Sequence, residues 1–202
     1  MLALLLLTAD GPPDTLRVRS VDRLPAPMSD SLGEPTLRFG AGRARLWLLR
    51  DADTIAVYVA IRDSTHSLKD EIVVSLDMEG DAAPTPQHDD FQWRLRRGLD
   101  STTVLRGRGG RWQPPKDDPD WRLGPERSGG GWSVAEAERD GEWWTALRLH
   151  AAMLAGGPAA GSRLAVRIYD GGPGGWYAWP REKTGAHPTS VEGAPSGWAI
   201  VR

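Results

Sequence analysis

The chain contains no cysteine, and this absence excludes two classes of site. Neither a disulfide framework nor a thiolate nucleophile or metal ligand is available. Long hydrophobic runs are missing too, since Leu2–Leu7 is far shorter than the roughly 20 residues of a membrane-spanning helix and no other segment comes close. The sequence therefore predicts no membrane span.

Familiar catalytic motifs are also lacking. The four histidines are scattered without metal-binding spacing, and neither a phosphate-binding glycine loop nor a hydrolase GxSxG turn is found. The adjacent pairs Asp89–Asp90 and Asp117–Asp118 are better interpreted as solvated loop charge than as glycosidase carboxylates. A net charge of -2 gives no reason to expect nucleic acid as a partner. These absences favour a protein without catalytic activity of its own.

The N-terminus combines the apolar run Leu2–Leu7, the small residues Thr8 and Ala9, and a polar Asp-Gly-Pro-Pro break. We interpret residues 1–14 as a truncated secretory signal or leader, although it lacks a basic start. The alternative is an ordinary first strand. The remaining 15–202 then form a single domain.

Apolar residues alternate with polar ones in three successive segments, and this is the pattern of half-buried β-strands. In the first, Ile55, Val57, Val59 and Ile61 share one face. In the second, Ile72, Val74 and Leu76 do so, opposite Glu71, Val73, Ser75 and Asp77. In the third, Phe91, Trp93 and Leu95 lie opposite Gln92, Arg94 and Arg96. One apolar face per strand is what a two-layer sandwich requires.

The rest of the chain predicts the same class, because it contains many short strand patterns separated by turns rich in its 24 glycines and 16 prolines. We therefore predict an all-β antiparallel sandwich, jelly-roll or immunoglobulin-like, with at most short helical turns such as Ala151–Leu154. The predicted strands are Leu16–Val21, Ala44–Arg50, Ile55–Asp63, Glu71–Asp77, Phe91–Arg96, Ser101–Arg106, Trp132–Glu138, Trp143–Leu149, Leu164–Asp170 and Trp198–Arg202.

Carboxylates cluster in the loop between the second and third segments. Asp77, Asp81, Asp89 and Asp90 bracket this loop, and calcium is a hard cation that takes several such oxygen ligands. The sequence thus predicts a structural calcium site. A polar hairpin tip that binds no ion explains the same residues.

Tryptophan is abundant, with ten residues against two phenylalanines. Aromatic faces stack on sugar rings while neighbouring polar side chains bond the hydroxyls. Trp121, Trp176 and Trp179 lie in or beside predicted loops and are candidate sugar contacts. We expect Trp47, Trp132, Trp143 and Trp144, which fall in predicted strands, to pack within the protein.

The order IAVYVAIRD, KDEIVVSLD, DDFQWR, GGWSVAEAE, WWTALRLHAAML and a closing PSGWAIVR resembles the family 9 carbohydrate-binding module and its DOMON-like relatives over roughly 15–202. The resemblance implies a non-catalytic, secreted, periplasmic or cell-surface bacterial sandwich that binds sugars or polysaccharide ends, with structural calcium. It places Arg94, beside Gln92, at a sugar-contacting position, and Asp63, Asp70, Asp77, Asp89 and Asp90 at acidic positions of the family.

The chain departs from that family where the sugar would be clamped. Ser67 and Glu192 stand near the positions of the two stacking tryptophans, and Val73 replaces a glutamate. Two alternatives therefore stay open beside a sugar-binding module linked to polysaccharide breakdown. One is a haem-binding DOMON-like redox domain using Met78 with His66 or His88, and the other is a structural or interaction sandwich that has lost its clamp.

Overall fold

The structure, a computed structural model, describes residues 15–63, 65, 67–99, 102–114, 131–150, 161–172, 175–180, 195 and 198–201. Their strands, in chain order, are β1 (Thr15–Leu16), β2 (Arg19–Ser20), β3 (Leu37–Phe39), β4 (Ala44–Arg50), β5 (Thr54–Arg62), β6 (Glu71–Asp77), β7 (Asp90–Arg96), β8 (Thr103–Arg108), β9 (Arg111–Gln113), β10 (Trp132–Arg139), β11 (Glu142–His150), β12 (Arg163–Asp170), β13 (Gly175–Trp179) and β14 (Ala199–Val201). Short 3-10 turns form at Asp30–Leu32 and Gly40–Gly42. The fold is the all-β sandwich that the sequence predicts.

The strands form two sheets. The larger has the order β1-β14-β12-β6-β7-β8-β9, with β13 paired onto β12. The smaller has the order β10-β11-β5-β4-β2, with β3 paired onto β4. The pairings β1 with β14 and β2 with β4 are parallel, and the other described pairings are antiparallel. No helix in the described ranges is long and apolar enough to cross a membrane.

The main core lies between the sheets and is built from the faces that alternation predicts. Ile55, Val57, Val59 and Ile61 of β5 meet the apolar face of β6, and Trp93 of β7 is fully buried among them. Each large apolar side chain buried in this way contributes roughly 1.5–3 kcal/mol. The core therefore fixes which face of β6 and β7 points outward.

A second apolar cluster covers the outer face of the smaller sheet. Trp47 and Trp144 stack there with ring centroids 5.1 Å apart, beside Tyr58. The segment 21–33 lies over them, since Tyr58 donates a hydrogen bond to the carbonyl of Pro25 at 2.7 Å. The outer faces of β4 and β5 are consequently buried rather than mostly polar as predicted, so the candidate ligand surface lies on the larger sheet.

Two predicted strands, Ala44–Arg50 and Glu71–Asp77, have the observed limits, and most of the others differ by one or two residues. The predicted strand Leu16–Val21 is divided into the short β1 and β2. Three strands were not predicted, namely β3, β9 and β13. The predicted leader at 1–14 and the helical turn Ala151–Leu154 lie outside the described residues.

Candidate functional site

Two rows of side chains cross the outer face of the larger sheet. The register places Tyr169, Glu71 and Arg96 side by side on β12, β6 and β7. The next row contains Arg167, Val73 and Arg94 in the same strand order. Because alternate residues share a face, these rows point away from the core.

A cleft of about 340 Å³ opens over these rows. Its described lining is mainly polar and charged, with two aromatic rings and one aliphatic side chain: Leu68, Lys69, Glu71, Arg94, Arg96, Tyr169 and Trp176. Ligand sites typically have volumes of about 300–1,000 Å³. The cleft therefore has room for a small ligand, with ring faces and hydrogen-bonding groups together.

Buried neighbours hold Arg94 in place at this cleft. Its Nε donates to Oε1 of Gln92 at 2.9 Å, and Nε2 of Gln92 donates to Oγ of Ser75 at 3.2 Å. Gln92 is fully buried and does not line the cleft. The predicted sugar contact Gln92 is thus better described as a residue that positions Arg94.

Trp176 lines the cleft and contacts one aromatic residue and one cationic residue. The ring centroid of Trp176 lies 4.7 Å from that of Tyr169. The guanidinium carbon of Arg167 lies 4.8 Å from the Trp176 centroid. Arg167 is buried, and burial, together with the charge of Arg94, lowers its pKa to about 10. Arg167 therefore supports the ring of Trp176 from a buried position beside the described lining of the cleft.

The other predicted aromatic contacts lie elsewhere. Trp179 is three residues beyond Trp176 on β13, so its side chain points to the opposite face and packs in the main core. This position does not fit a sugar contact, and Trp179 is removed from the candidate site. Trp121 lies outside the described residues.

The region of the predicted clamp contributes one aliphatic side chain. Oγ of Ser67 accepts a hydrogen bond from the amide of Lys69 at 3.2 Å, and the amide of Ser67 donates to Oδ2 of Asp63 at 2.9 Å. Its neighbour Leu68 lines the cleft and is 73% exposed, an unusual position for a large apolar residue. Glu192, the second clamp position, lies outside the described residues.

The predicted calcium loop forms a compact cluster at the opposite end of β6. Carboxylate oxygens of Asp77, Asp81 and Asp89 lie within 4.8 Å of one another. Asp90 is the cross-strand partner of Asp77. Backbone amides of Gly80 and Ala82 donate to Asp77 at 2.6 and 3.1 Å. The structure thus brings the four predicted carboxylates into one place.

The charges of this cluster are poorly compensated. Asp77, Asp89 and Asp90 are buried, and one oxygen each of Asp89 and Asp90 is buried without a hydrogen-bond partner. In the part of the chain that the structure describes, their salt-bridge partner is His88, 3.7 Å from Asp89. Burial and the neighbouring carboxylates raise the pKa of Asp90 to about 7. This is the environment that a cation would stabilise.

A second group of buried carboxylates has its own cations. Asp63, Asp70 and Asp170 lie within 4.8 Å of one another. Arg97, which is 3% exposed, donates to Asp70 at 2.9 Å and lies 3.5 Å from Asp63. Arg43 pairs with Asp170 at 2.8 Å. The arginine side chains therefore supply the positive charge that a metal ion would otherwise supply to this group.

Of the haem candidates, the structure describes Met78 and His88. Met78 packs against the main core, whereas His88 is exposed. His66 lies outside the described residues. No feature of the described residues favours the haem alternative.

Five cleft residues were not among the predicted contacts: Leu68, Lys69, Glu71, Arg96 and Tyr169. Alternation places Glu71 and Arg96 on the correct outward face, but only the order β12-β6-β7 brings them beside Tyr169. That order is set by tertiary pairing, so local sequence patterns gave no signal for it.

Comparisons with known proteins agree on the fold. The structure is similar to a carbohydrate binding module family 9 from Caldicellulosiruptor kristjanssonii in complex with glucose, with a TM-score of 0.61 and 13% sequence identity over 94% of this chain and 95% of that chain. It is also similar to such a module from the same organism in complex with cellotriose, with a TM-score of 0.59 and 14% identity over 92% of each chain. No protein-family model and no curated protein sequence matches the chain. The chain therefore shares the fold of these modules at low sequence identity.

Proposed function

We propose that this protein is a non-catalytic carbohydrate-binding module that binds a small sugar or a polysaccharide end in the cleft over β12, β6 and β7. The observation that carries the proposal is the meeting of Arg94, Glu71 and the Tyr169–Trp176 ring pair around one cleft of about 340 Å³. Aromatic rings can stack on sugar faces, and charged side chains can bond hydroxyls. The shared fold of two sugar-bound modules supports the same function.

The proposal assigns separate roles to the cleft residues. Arg94 donates hydrogen bonds to hydroxyl or ring oxygens, and Glu71 accepts them from hydroxyls. Leu68 supplies an exposed apolar wall beside Ser67, which stands near the position where the family resemblance implies a tryptophan, so sugar stacking would depend on Tyr169 and Trp176 instead. Because one wall is aliphatic, we expect modest affinity.

Replacing Arg94 with alanine should weaken sugar binding by about 10- to 100-fold, because a hydrogen bond to a charged group contributes about 1.5–3 kcal/mol. Tryptophan fluorescence, titrated with a panel of neutral and acidic sugars, measures the change. The matched control is Arg139→Ala, whose side chain is 68% exposed on the smaller sheet. Unchanged binding in Arg94→Ala would place the site elsewhere, and no binding by the wild-type protein would favour a structural or interaction sandwich.

We also propose that the loop cluster holds a structural calcium ion. Asp77, Asp81, Asp89 and Asp90 would be its ligands, and calcium accepts about six to eight oxygens in flexible geometry. The two unpartnered buried oxygens of Asp89 and Asp90 fit this role. Bound calcium would supply positive charge to the cluster, whose cationic neighbour among the described residues is His88, and only when that ring is protonated.

We further propose a secreted, periplasmic or cell-surface location and a link to polysaccharide breakdown, and the N-terminal run Leu2–Leu7 supports export. Expression of the full chain in a bacterial host, followed by fractionation of the cells, should give the protein in the medium or periplasm. Recovery in the cytoplasm alone would contradict the proposal.

A further inference from the structure

Two large apolar side chains are exposed in the part of the chain that the structure describes, and both belong to turns that border the cleft. Leu68 is 73% exposed and lines the cleft, and Leu99 is 49% exposed. Leu99 ends the turn that begins at Arg96, another lining residue, since its amide donates to the Arg96 carbonyl at 3.2 Å. Exposed apolar surface of this kind is therefore found beside the proposed sugar site.

A tight turn directs Leu68 outward. The amide of Asp70 donates to the carbonyl of Ser67 at 3.1 Å, so Leu68 and Lys69 occupy the two central positions of the turn. The start of the turn is held by the buried carboxylate of Asp63, which accepts from the Ser67 amide at 2.9 Å. A small polar residue would suit an exposed turn position at least as well. The turn alone therefore does not explain why a leucine stands there.

The two turns are packed against each other. The amide of Arg97 donates to the carbonyl of Asp70 at 3.1 Å, and the Arg97 guanidinium pairs with the Asp70 carboxylate at 2.9 Å. A Cβ atom at Gly98 would lie only 2.8 Å from Cδ2 of Leu68, so the leucine lies directly on the glycine that precedes Leu99. Because buried groups fix both turns, a ligand that covers Leu68 orders little backbone and loses little of its binding energy in doing so.

We propose, on the basis of the sugar-binding function above, that the ligand is a glycoside whose aglycone is an apolar alkyl or aryl group. The sugar ring lies beside Tyr169 and Trp176 in the cleft of about 340 Å³, and the aglycone covers Leu68 and extends towards Leu99. Hydroxyl groups gain nothing from contact with an exposed leucine, because they lose water there without a hydrogen-bond partner. An alkyl chain or an aromatic ring removes its own apolar surface and that of the leucine from water together.

Isothermal titration of the purified chain with methyl, hexyl and phenyl β-glucoside tests this assignment, with hexanol as the probe that lacks a sugar. Glucosides are suitable because the structurally similar modules are in complex with glucose and cellotriose. Hexyl or phenyl glucoside should bind at least about tenfold more tightly than methyl glucoside, since burial of one leucine-sized apolar group is sufficient for such a gain. The tighter of the two identifies the aglycone as alkyl or aryl. Hexanol should bind far more weakly than hexyl glucoside.

Variants at the two leucines locate the aglycone. Leu68→Ser should reduce the ratio of hexyl to methyl glucoside affinity to about one, and its exposed position should leave folding intact. Leu68→Met is the matched control, because it keeps an apolar side chain of similar size and should keep the ratio. Leu99→Ser should reduce the ratio less, since Leu99 is not part of the described lining. An unchanged ratio in Leu68→Ser would contradict the assignment.

The possible results distinguish this inference from the proposed function. Equal affinities for the three glucosides would overturn the apolar aglycone and leave the sugar-binding function standing. Hexanol binding as tight as that of hexyl glucoside, or no binding of any glucoside, would overturn both proposals. Sedimentation tests whether a second copy of the chain covers the leucine instead. A wild-type dimer that Leu68→Ser converts to a monomer would overturn the apolar aglycone.

Discussion

Replacing Arg97 with methionine should lower the free energy of unfolding by about 3–5 kcal/mol, because it leaves buried carboxylates without their cation. Arg97 follows β7 of the larger sheet, whereas Asp63 follows β5 and Glu138 lies in β10, two strands of the smaller sheet. Its guanidinium therefore joins the two sheets at one end of the sandwich. Burial raises the pKa of Asp70 despite hydrogen bonds from Gly171 and Arg97, so this carboxylate depends on Arg97 to remain charged.

Urea unfolding of Arg97→Met, followed by tryptophan fluorescence, measures this loss. The deficit should be smaller at pH 5 than at pH 7, because Asp70, whose pKa is raised by burial, can then be protonated in the folded variant. Arg139→Met, at an exposed site, should change stability by no more than about 0.5 kcal/mol. A loss below about 1 kcal/mol for Arg97→Met, or one independent of pH, would show that the buried ion pairs are not needed.

The carboxylate cluster of Asp77, Asp81, Asp89 and Asp90 should make the protein less stable as pH rises when no metal ion is bound. Asp90 has a pKa of about 7 in the folded protein against an ordinary value of 3.8, so the folded state binds more protons between these values. In chelator, the free energy of unfolding should therefore decrease as pH rises from about 4 to 7. Since each pKa unit corresponds to about 1.36 kcal/mol, the decrease is on the order of 4 kcal/mol at most.

Calcium should offset much of this decrease, because the metal binds the ionised carboxylates. At a free concentration of about 100 times its Kd, it should add about 2.7 kcal/mol at neutral pH, and less at pH 5. Thermal unfolding with calcium or chelator at both pH values measures the effect. Asp90→Asn should abolish both responses, whereas Asp140→Asn, on the exposed β10–β11 turn, should keep them. Identical melting curves with calcium and chelator would contradict the metal site.

Alternation along the strands was enough to predict the sandwich and its core. The predicted apolar face of each segment points inward, because that face must be removed from water whichever strands become neighbours. These faces consist of every second residue from Ile55 to Ile61, from Ile72 to Leu76 and from Phe91 to Leu95. The loop carboxylates also come together as predicted, since Asp77 and Asp90 are cross-strand partners at the two ends of the connection between β6 and β7.

The cleft could be predicted only in part. Arg94 lies in it, but its neighbours Tyr169 and Trp176 come from strands far along the sequence. The glycines on both sides of Pro173 predict a loop around Trp176. In the structure, these residues pair with β12 and form a strand. Without that strand, the opposite orientations of Trp176 and Trp179 could not be inferred.

The location of a bound sugar tests the central claim most directly. Amide and indole resonances of the labelled protein should be followed by NMR during titration with glucose and then hexyl β-glucoside. We expect changes at Lys69 and Arg94 and at the indole of Trp176, with the indoles of Trp47 and Trp144 on the smaller sheet unchanged. Changes confined to the smaller sheet, or none with either sugar, would contradict a carbohydrate-binding cleft over β12, β6 and β7.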